Sequence, residues 1–279
     1  VQQFWRFFIY IIICYTLAAL LMASLPPLII PIQIAYRGGI IFAVLGLLPF
    51  LALQGLANKL ALGYDIKFTK FIYTVILGLS IGITILASLI TILISLQIRC
   101  VTSNVNTTHL SSVIVKGLLT GITVSVIEET FFRGALFTAI RRHNHNAASA
   151  IIWSSILYAI LHFFQLPDIS TNKIEIANIV YSVIKAIYAI FQIHNLDALI
   201  ALLSAGIFLA LIREHAKHLG WNIGIHAGWI LIIKISHIYT DVNVNSTWIN
   251  LVSNYDGITG WLAAIWLGIL ALSYKIFLV

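Results

Sequence analysis

Three ionisable residues stand in the middle of a long apolar stretch. Glu128, Glu129 and Arg133 occur in the run SVIEETFFRGALF, inside a segment from 113 to 139 that is otherwise nearly free of charge. A charge at the centre of a bilayer costs about 3 kcal/mol or more unless it is paired or faces a polar cavity. On a helix Glu129 and Arg133 lie one turn apart on the same face and can pair. Glu128 projects about 100° away from Glu129 and is left without that partner. A carboxylate in such a setting can take up and release a proton near neutrality, as a general base that polarises water must do. A structural account also exists, in which the trio locks helices together and Glu128 bonds a neighbour. Charge retained inside a membrane points first to function.

Two histidines extend the set. His162 lies in LYAILHFF on the next apolar segment, and the hairpin between the two segments turns near Arg141 to Asn146. At 1.5 Å per residue, Glu128 and His162 both lie roughly 20 Å from that turn, at matching depth. His226 lies in WNIGIHAGWILII, flanked by Gly224 and Gly228, which permit close helix approach. Its imidazole can donate to a developing oxyanion. Taken singly, His162 reads as a satisfied core residue and His226 as an interfacial one bonded to a headgroup. The pairs His143/His145 and His215/His218 fall in polar loops and read as solvated.

The elements that carry these residues follow from composition. The 279-residue chain is 61% hydrophobic and only 9% charged, against roughly 25% charged in a soluble domain. That excludes a soluble globule, disorder, collagen and a secreted disulfide scaffold together. Cys14 and Cys100 are too few for a disulfide framework and lack zinc-finger spacing. The net charge of +7 is spread singly between apolar runs, which fits membrane topology and anionic lipid better than nucleic acid.

Hydropathy places spans near 7–30, 39–57, 71–98, 113–139, 147–166, 196–212, 221–239 and 258–278. Runs this long and continuously apolar are wrong for barrel strands, so the expected fold is all-α: a polytopic, single integral membrane domain over 1–279 with about eight transmembrane helices. The segment 178–195, NIVYSVIKAIYAIFQIHN, is interrupted by Lys185 and reads as an interfacial or re-entrant insertion, with a ninth crossing as the alternative. Eight crossings collect Arg6, Lys59, Lys67, Lys70, Arg141, Arg142, Arg213, Lys217 and Lys275 on one side, and Arg37, Arg99 and Lys173 on the other. Both termini are therefore expected in the cytoplasm. This leaves a tension, because it puts His226 near the cytoplasmic end and His162 near the opposite one. Either the stretch from Glu214 to Gly220 dips into the protein, or 178–195 crosses.

In order, Glu128-Glu129-x-x-x-Arg133, the aromatic-x-x-x-His at Tyr158 to His162, and the Ile-His-Ala-Gly-Trp setting of His226 resemble the CAAX protease and bacteriocin-processing family of glutamic intramembrane endopeptidases. The similarity covers a four-helix core from about 113 to 239. It implies hydrolysis of a peptide bond in a membrane-associated protein or peptide, with no cofactor and no covalent acyl-enzyme. On that resemblance Glu128 and His162 activate the water, His226 belongs to the oxyanion site, and Glu129 with Arg133 orients the first carboxylate. Two positions depart from the pattern. Tyr158 replaces the usual Phe, and Ile230 stands where Asn is frequent. Losing one oxyanion donor costs about 10²–10³ in rate, and Asn222, one turn before His226, is the expected substitute. Competing readings are a metal site on Glu128, His162 and His226, an inactive family member serving as an immunity or partner-binding protein, and a transporter. The absence of an internal repeat speaks against the last.

Overall fold

The computed structural model describes residues 1–24, 46–102 except 48, 110–163 and 195–278, with isolated positions at 181, 184, 188 and 192. Helix α1 (Gln2–Ser24) leads to a short α2 (Lys59–Leu62) and the long α3 (Phe68–Ser95). Then α4 (Leu110–Glu129) runs through a π-helix (Thr130–Leu136) into α5 (Phe137–Asn144), and a tight turn leads to α6 (Ala147–Leu161). The chain is completed by α7 (Leu196–Ala216), α8 (Gly220–Tyr239) and α9 (Trp261–Leu278).

Among the described residues three stretches are long and apolar enough to cross a bilayer, Phe68–Ser95, Leu110–Asn144 and Leu196–Ala216, and two shorter apolar helices are Ala147–Leu161 and Trp261–Phe277. The chain is an integral membrane protein. The expected spans at 7–30 and 39–57, and the insertion at 178–195, lie partly or almost wholly outside the described residues. The helical expectation needs one correction. Arg99–Val101 (β1) and Thr240–Val242 (β2) form a two-stranded antiparallel ribbon, with Arg99 opposite Val242 and Val101 opposite Thr240. It ties the end of α3 to the end of α8, outside the apolar spans, where short loops still need backbone partners.

Helix α3 shows how an apolar helix with many hydroxyls is satisfied. Thr84, Thr91 and Ser95 each donate to the carbonyl one turn back, at 2.9 Å, so these hydroxyls are paired within the helix. Small residues set its packing. Gly78 and Gly82 of α3 meet Gly224 and Gly228 of α8, two interlocking Gly-x-x-x-Gly faces that bring the backbones together. A Cβ on Gly78 would stand 2.7 Å from the Trp221 carbonyl, and one on Gly228 would stand 2.7 Å from the Ile83 nitrogen. On the opposite face of α8, Gly121 of α4 sits against the Ala227 carbonyl. Helix α8 is thus wedged between α3 and α4, with the intervening residues 225–227 fixed in place.

Helix α7 packs against α6 and α9. Arg141 and Lys217 both pair with Glu214, so the start of α6 and the end of α7 lie at one end of the bundle. Their other ends share the opposite side. The turn between α7 and α8 is folded inward, as the first of the two expected alternatives requires. His218 and Leu219 are buried, and the Leu219 N–H donates to the Gly63 carbonyl. The turn dips into the protein, so α8 begins inside and carries His226 to the depth of the acidic motif.

Candidate active site

The acidic motif sits where the helix changes register. Glu129 closes α4, and the π-helix that follows turns Arg133 back onto it, with Nη1 to Oε1 at 3.0 Å and both side chains fully buried. A π-turn frees backbone groups and recurs at functional positions. Here the Arg133 carbonyl accepts from Arg213 Nε at 3.0 Å, so α7 supplies the missing partner. The Arg133 guanidinium lies over the Tyr158 ring at 4.3 Å, and its Nη2 donates to the Gly206 carbonyl at 3.3 Å. The sequence spacing anticipates an ordinary α-turn across 113–139; the observed π-turn follows Glu129, and the expected Glu129–Arg133 pair forms across it.

His226 joins the two glutamates. Its Nδ1 lies 2.8 Å from Glu129 Oε1, and its Nε2 lies 3.9 Å from Glu128 Oε2. With Glu129 ionised against Arg133, Nδ1 is the donor, and Nε2 is the ring atom turned to Glu128. A gap of 3.9 Å is too long for a direct hydrogen bond. It suits one water touching both atoms at hydrogen-bond distance. Glu128 Oε2 has no partner among the described residues, and its side chain keeps 29% exposure.

His162 follows the last residue of α6. Its Nδ1 lies 2.8 Å from the Tyr158 carbonyl, which can only accept, so Nδ1 carries the proton and Nε2 is left as the basic nitrogen. The Tyr158 and His162 rings are 4.3 Å apart. Glu128, Tyr158, His162, His226 and Ile230 all line one pocket of about 330 Å³. Asn222 is elsewhere. It is fully buried, its Nδ2 donates to the Leu209 carbonyl at 2.7 Å, and it does not line the pocket.

Residues 110–232 match the family model described as type II CAAX prenyl endopeptidase Rce1-like. The similarity is confined to this stretch, which is under half of the chain. No curated protein and no solved structure matches the chain. The Rce1-like core contains every element that bears the acidic motif and both histidines, from α4 to most of α8.

Three lining residues escape the sequence reading. Trp229 is on the pocket wall with its indole N–H buried and without an acceptor among the described residues. Tyr255 donates to the His162 carbonyl at 3.0 Å, and Asp256 holds its own turn by accepting from Ile258, Thr259 and the Thr259 hydroxyl. The turn Asn254-Tyr255-Asp256-Gly257 is visible in the sequence as a polar break before the last span. Nothing local says that it folds back over residues almost a hundred positions earlier. Among the described residues, no group of three His, Cys, Asp or Glu is placed to hold a metal ion.

Proposed function

We propose that this protein is an intramembrane endopeptidase that hydrolyses a peptide bond of a membrane-associated protein or peptide with water activated by Glu128. The observation that carries the reading is the convergence of Glu128 Oε2, His162 and His226 on one pocket between spanning helices, in a core whose family is one of CAAX endopeptidases. Water held between Glu128 and the histidines gives its proton to the Glu128 carboxylate as its oxygen attacks the carbonyl carbon. The tetrahedral oxyanion is stabilised by donors on the wall. On collapse the C–N bond breaks, and Glu128 returns the proton to the departing amine. Glu129 and Arg133 touch no reacting atom and act as positioning residues, since Glu129 fixes the His226 ring through Nδ1.

The donor expected at Asn222 is committed to Leu209, and Ile230 has none. Trp229 takes the role in this reading: its N–H is a buried, unpartnered donor on the same wall. The termini are placed in the cytoplasm with about eight crossings, following the charge bias of the loops. Metal is not part of the proposal. The test is cleavage of co-expressed prenylated CAAX, bacteriocin-precursor and surface-protein candidates by wild type and by Glu128→Gln, with and without a chelator. Cleavage that survives the chelator and vanishes in Glu128→Gln supports the reading. Cleavage retained by Glu128→Gln refutes it, and loss on chelation favours the metal alternative.

A further inference from the structure

A second and larger cavity, about 950 Å³, opens between α3 and α9. Its floor is the end of α7 and the start of α8. It is separate from the peptidase pocket: Phe208 lines the one and Trp229 the other, and their rings stack at 6.1 Å as a shared wall. Helices α3 and α9 are pinned at its deep end, where Trp266 Nε1 donates to the Ile85 carbonyl at 3.1 Å.

The lining is sorted by depth. Lys70, His215, His218, Ser273 and Tyr274 lie toward one end, at the first turn of α3, the end of α7, the turn after it and the last turns of α9. Below them the walls are apolar, down to Ile81 and Ile85. No Asp or Glu lines the cavity. From Lys70 to Ile85 is about 22 Å along α3. That is half the ~40–45 Å of a bilayer with its headgroup layers, the depth of one leaflet.

We infer that this cavity is a binding site for an anionic phospholipid of the leaflet on the Lys70 side. Exposed Lys70 meets the headgroup phosphate. His218 is a neutral donor beside it, because its Nδ1 accepts the Gly220 N–H and its proton is therefore on Nε2. The acyl chain runs down between α3 and α9. A zwitterionic lipid brings a cationic group to Lys70, and a headgroup-free isoprenoid leaves the polar end unmatched, so the charge of the mouth selects the anionic lipid. The inference is independent of the peptidase reading and stands or falls on binding alone.

The test is native mass spectrometry of the full chain in detergent, titrated at neutral pH with dioleoyl phosphatidylglycerol and dioleoyl phosphatidylcholine. The anionic lipid should bind about fivefold tighter, the worth of one lysine against an anionic lipid. Lys70→Gln should bring it to the level of phosphatidylcholine. Lys275→Gln removes a charge from the same helix end but outside the cavity lining, and should change nothing. Ile212→Trp fills the apolar body and should weaken both lipids; Ser273→Trp at the mouth does the same if the first variant does not fold. Equal affinity of the two lipids in wild type overturns the inference. So does an equal loss in Lys70→Gln and Lys275→Gln, which means diffuse surface charge. Displacement of the lipid by farnesol in wild type but not in Ile212→Trp also overturns it, because an isoprenoid is then the occupant.

Discussion

Glu129 is the residue on which the site geometry turns, because its Oε1 serves both Arg133 and His226 while the whole side chain is out of solvent. Breaking a buried pair by removing one partner strands the other charge, at a cost of about 3–5 kcal/mol. Arg133→Leu is therefore expected to lower thermal stability in detergent by that order and to abolish cleavage. Glu129→Gln keeps one acceptor for Arg133 and should retain more stability while losing most activity. Trp229→Phe makes a sharper distinction. Phenylalanine keeps the stacking on Phe208 but removes the N–H, so kcat should fall about 10²–10³-fold with KM nearly unchanged, as for loss of one oxyanion donor. An unaltered kcat removes Trp229 from the mechanism. At this scale the Glu129–Arg133 pair and the convergence of Glu128, His162 and His226 on one pocket were legible, because helical spacing and depth counting depend only on 1.5 Å per residue. The Asn222 side chain was not legible, since its partner Leu209 comes from a neighbouring helix and no local pattern encodes that contact.

At the scale of the element, α8 is held by glycine faces on two sides, and small changes there should move His226. A methyl on Gly82 would overlap the Ile225 backbone. Gly82→Ala is expected to force α3 and α8 apart, to lower stability by about 1–3 kcal/mol as overpacked sites do, and to reduce cleavage through displacement of His226. Gly268 on α9 has open space where a Cβ would go, so Gly268→Ala is the control and should leave both unchanged. The turn before α8 carries the titratable His218. Burial, with Lys70 and Arg213 nearby, pushes the His218 pKa below its ordinary value, and the Gly220 N–H bond to Nδ1 requires the neutral ring. For a base whose folded pKa is lowered, the unfolded chain binds the proton first. Its stabilising contribution is thus fully present above about pH 6.5 and is lost as pH falls from there toward the folded value. Thermal unfolding scanned from pH 7.5 to 5 should show that decline, and His218→Asn should flatten it. The helix positions were largely readable: the stretch expected at 196–212 is α7 at Leu196–Ala216, and the stretch expected at 221–239 is a helix, α8, at Gly220–Tyr239. The π-turn after Glu129 was not readable, because an apolar stretch that is buried all round has no periodicity to reveal one extra residue in a turn.

For the whole molecule, the polar end and the ribbon end fix opposite faces of the bundle. Lys70, Arg141, Arg142, Glu214 and Lys217 gather at the first turn of α3, the last turn of α5 and the end of α7, whereas β1 and β2 join the far ends of α3 and α8. In the orientation proposed from the loop charges, the first face is the cytoplasmic one. Arg99 does not oppose this, since it is 3% exposed and spends its donors on the carbonyls of Gly257 and Thr240 and the Thr240 hydroxyl, serving as a clamp for the ribbon and not as a loop charge. Sequence alone counts it as a charge on the outer side; only the fold shows that it is internal. The orientation is testable with the native thiol. Cys100 is exposed on β1, and a membrane-impermeant maleimide should label it in intact cells carrying a Cys14→Ser background. A cysteine placed at exposed Arg142 in a Cys100→Ser background should react only after permeabilisation. The reverse pattern inverts the protein, puts the dipping turn of His218 and the lysine-lined cavity in the outer leaflet, and requires a substrate whose scissile bond approaches from outside.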